Sequence, residues 1–195
     1  MRAVQRQIDA ALPPTARPLA PCTAAQLRTR LAAALDGGDG AAGAHCIHEM
    51  WMRGELGSRI ESALDALWQR ASGTIPEWLP MRYIDWLPTA YAVALGFRGA
   101  RRGRSNLYLV LLDFADRTRG PFGVYVGMSR YTPAQRFDQH KAGIHAAGSV
   151  LKRGLEVLTG PTLHLQRLAR AEALRIEAQL ADALRDAGLL VEGGH

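Results

Sequence analysis

Residues 106–114 read NLYLVLLDF, and this run constrains the chain more than any other stretch. It is apolar almost throughout and too short for a typical helix, so it reads as a strand buried on both faces. VYVG at 124–127 predicts a second short strand, and the turn-rich connector DRTRGPFG makes the pair a β-hairpin with a long loop. TLHLQRL, 162–168, alternates and predicts a third strand, with a helix from about 170 to 187 behind it. Strand, strand, helix, strand, helix is an α+β arrangement.

Residues 1–96 have a different character. The first 22 residues, rich in alanine and proline, predict an irregular lead-in. Thr23 can cap a short helix to about Leu35, which DGGDG ends. Residues 44–71 carry Ile47, Trp51, Leu56, Ile60, Leu64, Leu67 and Trp68 near helical spacing and predict a longer helix. Pro76, Pro80 and Pro88 then punctuate a connector running to about Gly96. The composition changes at FRGARRGRSN, 97–106, so the expected organisation is an all-helical region over 1–96 and an α+β domain over 97–195.

Two cysteines, Cys22 and Cys46, are too few for a disulfide framework and point to a reduced, cytoplasmic setting. No apolar run approaches the roughly 18 residues of a membrane span. MRAVQRQIDAALPP lacks the apolar segment of a secretory signal. A net charge of +6 permits a polyanionic partner, and Arg101, Arg102 and Arg104 in the ARRGR run are candidate phosphate contacts. His45-Cys46-Ile47-His48-Glu49 has metal-binding residue types but lacks the second half of a zinc site, so it reads as an ordinary helix start. The tryptophans at 51, 68, 78 and 86 read as core or interface anchors.

Chemistry concentrates in two helices. Thr132-Pro133-Ala134-Gln135 is a helix start with its own cap, first-turn proline and capping box. Arg136 and His140 then share one face, which reads either as an exposed polar helix face or, with Arg136 near a helix start where a forked cation suits a phosphate, as a phosphate contact. In ARAEALRIEAQLADALRDAG, at about 100° per residue, Ala173, Leu174, Leu180, Ala181 and Leu184 lie within about 60° of Glu177. That puts a carboxylate in the apolar stripe, where an unpaired charge is costly. Either an arginine pairs with it, or it is a metal ligand or acid–base group in a cleft between helix and sheet.

Asn106-Leu107-Tyr108, Val124-Tyr125-Val126-Gly127, Arg136, His140 and Glu177, in that order, resemble the signature of the GIY-YIG nuclease family over about residues 105–194. The resemblance implies a small three-stranded antiparallel sheet flanked by helices, and a nuclease that hydrolyses phosphodiesters with one divalent metal, Mg²⁺ or Mn²⁺. It implies DNA rather than RNA as substrate. Tyr108 would lie beside the attacking water as general base or relay, and Tyr125 would orient the water or the phosphate. Gly127 would give substrate room at the backbone, Arg136 would hold the phosphate, and His140 would assist proton transfer or bind phosphate. Glu177 would hold the metal. Lys141 joins Arg136 as a cation that could lower a phenol pKa or meet phosphate. The alternative is a non-catalytic DNA-binding protein on a degenerate nuclease fold. The residues themselves leave open DNA versus RNA, sequence or structure specificity, the biological role, the role of residues 1–96 and the oligomeric state.

Overall fold

The computed structural model describes residues 12–115 and 121–194, and the chain divides into two compact units, residues 1–88 and 89–195. The connector residues of DRTRGPFG at 116–120 lie outside the described residues.

In the first unit the described residues form helices and turns, without a strand. Helix α1, Ala24–Asp36, starts where Thr23 and Gln26 exchange hydrogen bonds in a capping box. Asp39 caps α2, Gly40–Met52, by accepting the Ala42 N–H. The single helix expected over 44–71 is two helices, α2 and α3, Gly57–Ala71. Gly54, with φ of +71°, takes the left-handed conformation that ends a helix and that other residues adopt only at a cost.

Helix α2 is buried almost all round. His45 and His48 pack on Trp78, with ring centroids 4.9 and 5.7 Å away. Glu49, 1% exposed, is held by Arg17 through two bonds of 2.8 and 3.0 Å and by Arg53 at 2.7 Å. Burial alone would raise the Glu49 pKa, but the two guanidinium groups outweigh it and hold the carboxyl below its usual range. The HCIHE run is therefore an element of packing, and Glu49 ties the lead-in to α2 through Arg17.

Helix α4, Leu87–Leu95, spans the division between the units. In the second unit β1, Asn106–Asp113, has every residue from Leu107 to Leu112 buried, as its apolar run requires. It pairs antiparallel with β2, Phe122–Ser129, in a register that sets Tyr108 opposite Gly127 and Val110 opposite Tyr125. Helices α5, Pro133–Lys141, and α6, Gly148–Arg153, follow. Strand β3, Gly154–Leu158, then returns antiparallel along the other side of β1. Helix α7, Arg170–Asp186, packs along β2 and β1. The last strand, β4, Val191–Gly193, runs parallel to β2.

The sheet therefore has four strands in the order β3-β1-β2-β4 and is mixed, which corrects the three-stranded antiparallel sheet expected from the sequence. Two local features account for the difference. Residues 162–168 do not form the third strand: Gly160-Pro161-Thr162 closes a 3₁₀ turn, and the segment joins residues 103–107 through scattered backbone bonds from Leu165, Arg167 and Leu168, with an isolated bridge at Ser105–Leu168 in place of a ladder. The parallel strand arises because residues after α7 return beside β2, placing Val191 opposite Val124 and Gly193 opposite Val126.

The core on one face of the sheet joins Tyr108, Val110, Leu112, Phe114 and Val150, with Tyr125 and Phe137 packed against it. Strand alternation puts Leu107, Leu109, Leu111, Val124 and Val126 on the other face, all buried. Among the described residues no helix is long and apolar enough to cross a membrane.

Candidate active site

The hairpin register is what assembles the centre of the site. Because Tyr108 faces Gly127 and Val110 faces Tyr125, the two phenols lie diagonally on one face of β1 and β2, with ring centroids 6.1 Å apart. A Cβ on Gly127 would fall 2.6 Å from the Tyr108 hydroxyl and 2.6 Å from a Tyr125 ring carbon. The absent side chain is the space the phenols occupy.

Helix α5 brings its face onto this pair. It begins as expected: Thr132 caps it, Pro133 is its first residue, and Thr132 and Gln135 complete a capping box. His140 is buried at 1% exposure, 6.2 Å from Tyr108 and 5.9 Å from Tyr125 between ring centroids. Its Nε2 is 2.9 Å from the Tyr108 hydroxyl, and its Nδ1 accepts the backbone N–H of Ala147 at 2.9 Å.

That second bond fixes the tautomer. An Nδ1 that accepts carries no proton, so neutral His140 holds its proton on Nε2 and donates it to the Tyr108 oxygen. Burial, reinforced by the charge of Arg136, depresses the His140 pKa to about 4, so the ring is neutral at physiological pH. His140 therefore cannot accept the Tyr108 proton. It is a donor that supports negative charge on that oxygen, leaving the phenol O–H to donate elsewhere.

A nitrogen-15 NMR titration should show one His140 ring nitrogen unprotonated and one protonated at pH 7, with both protonated only near pH 4. The folded pKa lies below the unfolded value of 6.5, so His140 favours folding above that pH and loses this contribution as pH falls toward 4. A ring titrating near 6.5 would refute the assignment.

Arg136 sits on the same helix face, half-buried. Its guanidinium donates to the Ile144 carbonyl at 3.2 Å, the His145 carbonyl at 2.7 Å and Gln139 at 3.0 Å. His145 presents its carbonyl from a left-handed backbone, φ +44°, just after Gly143 at +77°. These bonds set the fork's orientation and leave donors to spare, since arginine has five N–H groups. The Tyr108 pKa is raised, first by burial and then by the neighbouring Tyr125, while Arg136 opposes both by charge and hydrogen bond. Tyr125 is raised as well, by burial and by the charge of Glu177, with Arg136 again opposing. Both phenols are protonated at rest.

Glu177 reaches the cluster from α7. It is buried at 8% exposure within the stripe of Ala173, Ile176, Leu180, Ala181 and Leu184. Ile176 takes the place in that stripe expected of Leu174, which is 40% exposed. Burial pushes the Glu177 pKa up to about 7, opposed only by the Met128 backbone N–H. Met128 directly follows Gly127, so the carboxylate meets β2 at its backbone one residue from the glycine, and its charge raises the Tyr125 pKa. Among the described residues no arginine or lysine pairs with Glu177, so the structural ion pair weighed from the sequence is not formed there.

A buried carboxylate with no cation beside it suits a divalent ion, and Mg²⁺ accepts one or two carboxylates while keeping several waters. No group of three His, Cys, Asp or Glu side chains gathers among the described residues, so the donor set is one carboxylate and not a zinc-type cage.

The remaining candidates lie elsewhere. Lys141 donates to the carbonyls of Gly154 at 3.1 Å and Leu151 at 3.5 Å, so its ammonium braces the start of β3. Arg101, Arg102 and Arg104 are exposed on the approach to β1. Three contributors were not singled out by side-chain pattern: the Ala147 N–H and the Ile144 and His145 carbonyls. The glycine after α5 was the available signal, because it marks a turn folding back on its own helix. No protein-family model, curated protein or solved structure matches this chain.

Proposed function

We propose that the protein is a metal-dependent nuclease of the GIY-YIG type that hydrolyses phosphodiester bonds in nucleic acid, DNA by the family resemblance. The observation that carries this reading is the gathering of Tyr108, Tyr125, Arg136 and His140 around Gly127, with Glu177, a buried carboxylate that has no cation partner among the described residues, on the backbone of the next residue, Met128.

Each residue then has a task set by its surroundings. Arg136, oriented by the Ile144 and His145 carbonyls, meets the scissile phosphate with its remaining N–H and its charge, and stabilises the charge that builds there. Tyr108 takes the proton of the attacking water as its own phenol proton passes on to phosphate or solvent, a relay that needs no free phenolate at rest. His140 keeps Nε2–H on the Tyr108 oxygen throughout and stabilises charge there. Tyr125 orients water or phosphate beside it. Glu177 would hold Mg²⁺ or Mn²⁺, which when bound acts as a Lewis acid on the phosphate and helps the leaving oxygen depart. The exposed arginines at 101, 102 and 104 add salt-dependent affinity for the polyanion. Two free thiols, one of them buried, agree with a reducing cytoplasm as the place of action.

The test is cleavage of supercoiled plasmid and of single-stranded DNA and RNA with Mg²⁺, Mn²⁺ or EDTA. Cutting with the metals and none with EDTA is expected. Binding without cutting on every substrate would replace this reading with a DNA-binding protein on a degenerate nuclease fold.

A further inference from the structure

A second constellation lies one step along β1 from the site. Asn106 is two residues from Tyr108, so the two side chains leave the same face of the strand about 7 Å apart. The Asn106 amide braces two loops at once. Its Nδ2 donates to the Tyr131 carbonyl at 2.9 Å, and its Oδ1 accepts the Arg167 N–H at 3.0 Å. The two loop backbones are thus held on either side of a single amide group.

Both loops are otherwise pinned. The Tyr131 N–H donates to Ser129 Oγ at 3.1 Å. Arg167 takes a left-handed conformation, φ +62°, and its carbonyl accepts the Gly103 N–H at 2.7 Å. An arginine in that conformation costs about 1 kcal/mol that glycine would not. The side chains at these fixed points are nonetheless exposed: Tyr131 is 53% exposed, and Arg130 and Arg167 face solvent. An aromatic ring left in water on a pinned backbone, with exposed arginines at the preceding residue and in the loop held across Asn106, does nothing for the core.

We propose that Tyr131 is a stacking platform for an unpaired base next to the scissile phosphate, with Arg130 and Arg167 taking the flanking phosphates. This deepens the nuclease reading and rests on it. The occupant follows from the chemistry on the surface: a polyanion for the arginines, and an exposed π-face for the ring. Only a base free of its duplex neighbours offers that face, so the preferred substrate is single-stranded nucleic acid or a frayed or flapped end. Tyr131 stands immediately before Thr132, the cap of the helix that carries Arg136, so the platform adjoins the element that would grip the phosphate.

Binding is measured in EDTA, with wild type, Tyr131→Ala, Tyr131→Phe and Arg167→Ala, to a single-stranded oligonucleotide carrying 2-aminopurine and to a fully paired duplex. Wild type should quench the fluorophore by stacking. Tyr131→Ala should weaken single-strand binding about 10- to 100-fold and abolish quenching, with duplex binding moved by less than about 3-fold. Tyr131→Phe should retain both. Arg167→Ala should weaken binding to both forms and reduce its salt dependence.

Equal losses for strand and duplex in Tyr131→Ala, or no loss for either, would overturn the platform. So would a wild type that binds no nucleic acid. Metal-dependent cutting by a Tyr131→Ala protein that binds single strands as wild type does would remove this inference and leave the nuclease reading standing. Absence of cutting by wild type, with stacking intact, would do the reverse.

Discussion

Glu177→Gln should abolish cleavage, by about 1,000-fold or more, and at the same time make the protein harder to unfold at pH 8. The two effects have one cause. The carboxyl titrates near 7 in the fold against an ordinary 4.5, because burial penalises its charged form. Between those values the folded state holds a proton that the unfolded chain has released, so stability falls as pH rises from 4.5 to 7 and stays lowered above that. Glutamine carries no charge and keeps an oxygen for the Met128 N–H. The variant should gain about 2 kcal/mol at pH 8, on the order of 5 °C in melting temperature, and nothing at pH 4.

Mn²⁺ should raise the melting temperature of wild type at pH 8 and leave that of the variant unchanged. A purely structural carboxylate predicts the opposite sign, loss of stability on substitution. A Glu177→Gln protein that is less stable at pH 8 and still cuts DNA would refute the assignment of this residue.

Gly127→Ala should be nearly as damaging to cleavage, about 100-fold, through a different physical route. The new methyl would lie 2.6 Å from the Tyr108 hydroxyl and from the Tyr125 ring. Tyr108 is 1% exposed and cannot swing into solvent, so its ring must tilt and the 2.9 Å bond to His140 must lengthen. A stability loss of about 1–3 kcal/mol should accompany it, the usual cost of overpacking. Tyr108→Phe alone should also lose cleavage, with a smaller loss of stability of about 1 kcal/mol.

The informative protein is the double variant. Phenylalanine lacks the oxygen that the new methyl strikes, while a ring carbon of residue 108 at 2.7 Å and one of Tyr125 at 2.6 Å remain in its way, so Gly127→Ala with Tyr108→Phe should recover part of the overpacking loss and be somewhat more stable than the sum of the single losses predicts. Strict additivity in thermal unfolding would mean that the glycine is not shaped around that hydroxyl.

Which parts of this architecture the sequence announces depends on how local their causes are. The start of α5 is legible because Thr132, Pro133 and Gln135 form the cap by themselves. Glu177 is legible because a charge in an apolar stripe is an angular fact, independent of the partner surface. Strand β3 is not legible: GLEVL is short, follows α6 without a turn and pairs with β1 through a shifted register. The alternation of TLHLQRL suggests a strand, yet Gly160 and Pro161 bend the chain just before it. Strand β4 is three residues long and ends in glycine, so only its neighbour β2 makes it a strand. The tautomer of His140 depends on a main-chain N–H seven residues away, which no side-chain pattern encodes.

The parallel pairing of β4 with β2 bears on how such a protein could be made safely. Chains emerge from the ribosome from residue 1 onward and domains fold as units. The phenols, the arginine and the histidine have all emerged by residue 140. The carboxylate follows only at 177, and the strand that covers the edge of β2 only at 191–193. A growing chain can thus gather the phosphate-gripping half of the site while the group that would hold the metal is still unmade. Under the nuclease reading, the residue that would hold the metal is made after those that would grip the phosphate.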